Sequence, residues 1–502
     1  MYARHIAALL FAFTPRPARA QAAPVTPPPA DSIIRAAVAV IQQGDAAARG
    51  ALLATALSAP AHKDSATFDR LLTRLHDQGA PYEQLGVRRS GRHAFVQLRS
   101  ARAQRTLSLQ LSTDRADTTH LGTIDILEAH HTVLDSITWP AEKLATDAEL
   151  ARRVDANLTR LMKAGAFSGT VHIVHDDKVV LSRGYGLANR EDSTPAGPHT
   201  RYAMASMGKM FTAVAVLQLV DAGKLRLDDT LARVLPAYPN AERAARITIR
   251  QLLEHSAGLG DQWSTPRKPV TGLTGHLATA AAVAYPPLLF EPGTRWSYSN
   301  EGYTVLGAVI EQVTGETYQQ YVQRHVLDVA GMHETVMAGS IDERVPFRAV
   351  GYRPRADDPL GIASPLANWS FVGTGSAGGA GGGYSTVGDL TRFGQALRDG
   401  RLVSAASREA MWNAHWDIPG YDGEQYGFGS FVRRVGDRRV VGHGGGGTGS
   451  GMDNGFRHFT DGSWTVVVLT NIDPPTATNL TTALVKMLVA QPATTRVKAH
   501  SQ

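Results

Sequence analysis

Apolar positions recur at helical spacing in three early stretches, Ile33 to Ile41, Ala51 to Leu57 and Phe68 to Leu75, and each predicts a helix with one buried stripe. The period then drops to two. Val96 with Leu98, Leu107 with Leu109 and Leu111, and Ile124 with Ile126 each mark a strand with one apolar face. Helices first and antiparallel strands after predict a small α+β unit over residues 31–137. Residues 138–149, with Trp139-Pro140, read as a linker, and a second, larger unit is expected over residues 150–490. There Thr170 to His175 and Lys178 to Gly184 predict a hairpin turning at Asp176-Asp177. Strands are expected near Tyr426 to Val432, Arg438 to His443, Met452 to His458 and Trp464 to Thr470, with a helix over Asn479 to Val489 to cover them. Met210 to Val220 is apolar nearly all round, the pattern of a helix buried on every side, and Gly223 supplies its stop. A further apolar helix is predicted from Val305 to Val313. The fold class is α+β in two domains.

Length and composition agree with two folded units, since 502 residues with 43% hydrophobic content exceed one ordinary domain and can bury sizeable cores. Arg4 and His5, the apolar run Ile6 to Phe13 and the small-x-small site Ala18-Arg19-Ala20 resemble an export signal over residues 1–22, which predicts a periplasmic or secreted protein. A proline-rich, extended segment follows at 23–30, and residues 491–502 are expected to be a disordered tail. No later apolar run is long enough to cross a membrane. The net charge of +6 comes from dispersed arginines. The densest group, Arg88 to Arg105, is interleaved with Val96, Gln97 and Leu98 and reads as a solvated strand face, which argues against nucleic acid as a partner. With no cysteine, disulfides and thiol catalysis are excluded.

Ser206-Met207-Gly208-Lys209 is the only place where a lysine follows a serine by three residues, and it opens the most apolar helix. At that spacing the lysine can reach the serine hydroxyl. A lysine in the first turn opposes the helix dipole, and its neighbours Met207 and Met210 are apolar, so a solvated cation is not its obvious role. Burial there disfavours the ammonium form, and Lys209 is expected to serve as base near neutral pH, alone or with a phenol. Tyr298-Ser299-Asn300 offers that phenol, which can relay a proton, and an amide able to hold both lysine and a substrate carbonyl. A second Tyr-x-Asn, Tyr238-Pro239-Asn240, sits between prolines and reads as loop. His443-Gly444-Gly445-Gly446-Gly447 follows a strand, where glycines let a substrate approach the backbone and N–H groups can join that of Ser206 around an oxyanion. Each feature alone has an ordinary reading: a core helix start, a packed aromatic, a flexible turn.

Together, in this order, they resemble the serine β-lactamase and penicillin-binding protein family, in its class C-like branch of esterases, D-aminopeptidases and D,D-peptidases. Leu252-Leu253-Glu254-His255-Ser256-Ala257-Gly258-Leu259 and Gly381 to Thr386 with Asp389-Leu390 are similar to further stretches of that family. The resemblance implies an antiparallel sheet with a helical lobe beside it and the active site between them. It implies Ser206 as nucleophile, Lys209 as the motif lysine, Tyr298 as proton relay, Asn300 as polar partner, and His443 and Gly445 as the third motif. Gly446 would give the second oxyanion N–H, and Gln262 would contact substrate. Residues 31–137 resemble the NTF2-like accessory units found ahead of some such hydrolases.

The third motif departs from the Lys-Thr-Gly of many members. His443-Gly444-Gly445 lacks the cation and hydroxyl that help grip a β-lactam or peptide carboxylate, which tilts the expected substrate toward small esters, D-amino acid amides or peptides. A β-lactamase or D,D-carboxypeptidase is the alternative, and a catalytically weak cell-wall or β-lactam sensor is the alternative of another class. No cofactor or metal is expected. Gly373 to Gly378 fits a dinucleotide fingerprint without its preceding strand, His172 and His175 face opposite sides of a strand, and Gly-x-Ser-x-Gly is absent.

Overall fold

The computed structural model describes residues 29–491 except 91, 115–116, 118, 135, 141, 261–274, 283, 285, 339–342, 354–366, 370–377, 419–422 and 448. The residues read as an export signal, and the tail past 491, lie outside the described residues.

The first unit begins with α1 (Asp31–Gln43), α2 (Ala46–Ala56) and α3 (Ser65–Gly79). Gly44 ends α1 in the left-handed region, and the Asp45 carboxylate caps α2 by accepting the N–H of Ala47 at 2.8 Å. Four strands follow, β1 (Tyr82–Ser90), β2 (His93–Ser100), β3 (Arg105–Thr113) and β4 (Leu121–His131), in an antiparallel meander of that order. Ile34, Ala37 and Ile41 of α1 and Leu72 and Leu75 of α3 share one buried cluster with Val96, Leu98, Leu109 and Leu111. The periodicity missed β1 for a physical reason. Its register shifts between Gln84 and Gly86, which breaks the alternation and leaves Leu85 exposed.

Leu144, within the stretch read as a linker, and Ile137 just before it are packed. Ile137 and Leu144 are buried in one cluster with Leu150, Val154, Leu158 and Leu161 of α4 (Asp147–Lys163), and the Leu144 N–H donates to Gln491 Oε1 at 2.8 Å. The hairpin forms as expected from β5 (Gly169–His175) and β6 (Lys178–Tyr185), with Asp176 and Asp177 at φ 51° and 63°, the positive values a tight two-residue hairpin requires.

The later strands are β7 (Trp416–Asp417), β8 (Glu424–Tyr426), β9 (Phe431–Val435), β10 (Arg438–Gly446), β11 (Asp453–Phe459) and β12 (Trp464–Thr470). They form one eight-stranded antiparallel sheet with the early hairpin, in the order β7-β8-β9-β10-β11-β12-β5-β6. Two expectations are corrected here. The single strand expected over Tyr426 to Val432 is two strands separated at Gly427–Ser430, where Gly429 takes φ 67°. The strand from Arg438 does not stop at His443 but runs through the glycines to Gly446.

Helices α5 (Lys209–Asp221), α6 (Asn300–Thr314) and α7 (Val387–Arg398) lie on one side of this sheet, and α8 (Thr476–Val489) lies with α4 on the other. Alternate residues of β12 separate accordingly. Val466 and Val468 pack with α4 and α8, while Val467 and Leu469 pack with the α5 cluster. Both faces are covered, so β12 reads as an unbroken apolar run. Among the described residues no helix is long and apolar enough to cross a membrane.

Candidate active site

Ser206 does not sit in α5 itself. It occupies a 3₁₀ turn, Ala205–Gly208, that feeds the helix at Lys209. In such a turn residues i and i+3 eclipse, which brings Lys209 Nζ to 3.1 Å from Ser206 Oγ. The turn is entered through Ala205 at φ 46°, a left-handed conformation that an alanine adopts only where its surroundings hold it. The holding group is a glycine-rich segment. Gly382 N–H donates to the Ala205 oxygen at 3.0 Å, and a Cβ at Gly381 would stand 2.2 Å from that same oxygen. Only glycine permits that approach.

Lys209 is fully buried, and its Nζ lies in hydrogen-bond reach of Ser206 Oγ, of Asn300 Oδ1 at 2.6 Å and of the Ala380 carbonyl at 2.6 Å. The two carbonyl oxygens take N–H donors from Nζ, and the Ser206 hydroxyl, donor and acceptor alike, can exchange a proton with it. Its Nζ also lies 4.9 Å from the Tyr298 ring centre and 5.6 Å from that of Tyr303. Asn300 reaches it because α6 starts five residues earlier than the apolar pattern indicates. Ser299 is the N-cap, accepting the Gly302 N–H at 3.0 Å, and this places Asn300 in the first turn.

Behind Tyr298 stands a box of buried rings. His255 lies 4.4 Å from it between ring centres, and His443 lies 6.3 Å away. Tyr303 and Tyr426 complete the box at 5.0 and 4.7 Å from His255. Burial lifts both of these phenols well above their usual range, so they stay protonated. Burial first, and the Lys209 charge second, hold His255 well below the usual histidine range and push His443 down to about 3. His443 is 1% exposed, its Nδ1–H donating to the Gly444 oxygen and its Nε2 lying 3.2 Å from the Tyr426 hydroxyl. The ring supports the pocket wall as a neutral group.

The glycines of β10 explain how the sheet meets the serine turn. A Cβ at Gly445 would come within 2.0 Å of the Met204 oxygen, so this strand rides directly on the backbone leading into Ser206. Gly446 ends β10 opposite Asp453. The structure thus gathers Ser206, Lys209, Tyr298 and Asn300 and sets Gly445 beside the serine turn, while Gln262 lies outside the described residues. Sequence reasoning assigned no part to Ala380, Tyr303, Tyr426 or His255. The run of small residues from Gly378 to Gly383 was the available signal for the first of these, since such a run marks close backbone approach.

The family model described as beta-lactamase matches residues 154–491. Penicillin-binding protein 4* of Bacillus subtilis (strain 168) is 28% identical over 331 residues, covering 62% of this chain and 69% of the relative. A solved penicillin-binding protein from Bacillus halodurans is 28% identical with a TM-score of 0.54, over 65% of this chain and 98% of its own. A D-stereospecific amidohydrolase from Streptomyces sp. is 26% identical with a TM-score of 0.52, over 63% and 94%.

Proposed function

The chain belongs to the β-lactamase family and is a serine hydrolase, and from that premise we propose that it works through an acyl-enzyme on Ser206 and cleaves esters or D-amino acid amides and peptides in preference to β-lactams. One observation carries the reading: Lys209 Nζ lies within hydrogen-bond reach of both Ser206 Oγ and Asn300 Oδ1 while facing the Tyr298 ring.

In this mechanism the Lys209–Tyr298 pair takes the Ser206 proton as Oγ attacks the substrate carbonyl. Tyr298 is the member that carries the proton, and Lys209, within reach of Ser206 Oγ and facing the phenol ring, is the partner that exchanges it. The N–H groups of Ser206 and Gly446 receive the oxyanion. Collapse expels the alcohol or amine, which leaves with the proton held by the pair. Water then attacks the acyl-serine, the pair accepts its proton, and return of that proton to Oγ frees the acid.

Substrate preference follows from the third motif. A neutral, buried His443 followed by Gly444 presents neither the cation nor the hydroxyl that a β-lactam carboxylate would meet. The similar Streptomyces amidohydrolase supports D-configured amides as a substrate class. The NTF2-like reading of residues 31–137 and export through residues 1–22 belong to the same proposal. The first is supported by the order of helices and meander, the second by sequence alone.

The test is a panel of short-chain aryl esters, D-amino acid anilides and a chromogenic cephalosporin, run beside Ser206→Ala. Turnover of esters or anilides above the cephalosporin, absent in the variant, is expected. Faster cephalosporin hydrolysis would reverse the preference, and a stoichiometric burst without turnover would make the protein a sensor.

A further inference from the structure

Tyr298 is gripped from behind by one residue. The main-chain oxygen of His255 accepts the Ser297 N–H at 3.0 Å, and its ring Nδ1 accepts the Ser299 N–H at 3.1 Å. The two peptide N–H groups flanking Tyr298 are therefore both taken by His255. The backbone between them is extended, with Ser299 at φ −138° and ψ 113°, so alternate N–H groups point the same way and the clamp closes on both. The imidazole then lies against the Tyr298 ring, 4.4 Å between centres.

The chemistry of this contact is restrictive. A backbone N–H can only donate, so Nδ1 must be an acceptor and the ring proton must be on Nε2. A protonated imidazole would set N–H against N–H. The surroundings keep the ring neutral, because it is buried to 2% exposure beside the Lys209 charge. Among the described residues Nε2 itself is buried with no hydrogen-bond partner, a cost that an apolar side chain of the same volume would avoid. What a histidine supplies here, and an apolar group does not, is the Nδ1 acceptor. Its backbone is also left-handed, at φ 61°, a further sign that the position is held by its surroundings for a purpose.

We propose that His255 is the positioning residue for Tyr298, fixing the phenol beside Lys209 through the two flanking N–H groups it accepts. The inference rests on Tyr298 acting as base in the proposed reaction. Displacing a reacting group by about 1 Å can cost on the order of 10²-fold in rate, so loss of the clamp should appear in turnover and not in binding.

The test compares His255→Asn, which keeps an acceptor near the Nδ1 position and tolerates positive φ, with His255→Leu, which keeps volume and loses the acceptor. Each is also made in a Tyr298→Phe background. Readouts are kcat and KM on an aryl ester, the rate of Ser206 phosphonylation by a fluorophosphonate, and thermal unfolding. His255→Leu should lower kcat and phosphonylation by roughly 30- to 100-fold with KM within about twofold. His255→Asn should stay within about fivefold of the parent, and in Tyr298→Phe the Leu substitution should cost less than about twofold more. Equal losses for Asn and Leu, or a full further loss in the Tyr298→Phe background, overturn the proposal. Should His255→Leu not fold, His255→Gln replaces it: its acceptor lies one methylene further out, and a rate equal to that of Asn overturns the proposal. Should Tyr298→Phe alone retain the parent rate, the base assignment fails instead, and the two failures are distinct.

Discussion

The two units treat buried polarity in opposite ways. Among the described residues of the first, Arg49 is the buried charged side chain, and it is answered by Asp69 at 3.0 Å and the Gly44 oxygen at 2.9 Å. Its other buried polar groups are serines and threonines within or beside an apolar core. The second unit buries Lys209, His255 and His443 together in a box of tyrosines, where burial first and the Lys209 charge second raise the cost of charging either imidazole. Apolar packing is enough to hold a fold, whereas a buried cation between two neutralised imidazoles is a liability that only chemistry rewards.

The sharpest way to break this comparison is at the cation. Lys209→Arg keeps the charge but brings a planar guanidinium that stays protonated and fits the three oxygens poorly. Ester kcat/KM should fall by at least about 10³-fold, with Tyr298→Phe losing about 10²-fold or more. Retention of most of the parent acylation rate by Lys209→Arg would remove lysine from the base. The reverse experiment is made in the first unit. Leu72 is fully buried there, so Leu72→Ala should cost about 2–5 kcal/mol of that unit's stability. Ester kcat should stay within about twofold, and a parallel collapse of turnover would show that the units do not separate in function.

A smaller effect concerns acid. His172 and His458 are pushed down to about 4 and His443 to about 3, in each case mainly by burial, and His255 lies well below its ordinary value. The unfolded chain takes up these protons near 6.5, the folded chain only near 3 to 4. The stability they contribute is whole above about 6.5 and is lost as pH falls through that window, at up to about 1.4 kcal/mol per pH unit for each histidine. Tm measured from pH 7.5 down to 4.5 should decline steadily below about 6.5. A flat profile would mean that these rings are accessible to protons in the folded chain.

How much of this was legible in the chain depended on distance along it. Ser206 and Lys209 are neighbours, and their spacing alone brought them together, though on a 3₁₀ turn and not on the expected helix face. The hairpin at Asp176-Asp177 and the strand Trp464 to Thr470 matched because local pattern and burial agree there. The Ala380 carbonyl on Lys209 and the His255 clamp come from 171 and 44 residues away, respectively, and no local period encodes them. The break at Gly427–Ser430 carries a Gly-x-Gly-Ser turn signal masked by the aromatic residues Tyr426, Phe428 and Phe431 around it, and the packed stretch around Ile137 and Leu144 was hidden because two widely spaced apolar residues make no pattern. The family resemblance supplied the order of the motifs. The ring box behind Tyr298 needed the fold.

The central claim is that Ser206 is the nucleophile, made reactive by Lys209 and Tyr298. It is tested most directly by incubating the protein with a fluorophosphonate, digesting it and locating the adduct by mass spectrometry, with Ser206→Ala alongside. The account predicts a single phosphonylated peptide carrying the label on Ser206, no labelling in Ser206→Ala, and loss of ester turnover in that variant while it remains folded. Label on a different serine, or undiminished turnover in Ser206→Ala, would contradict it.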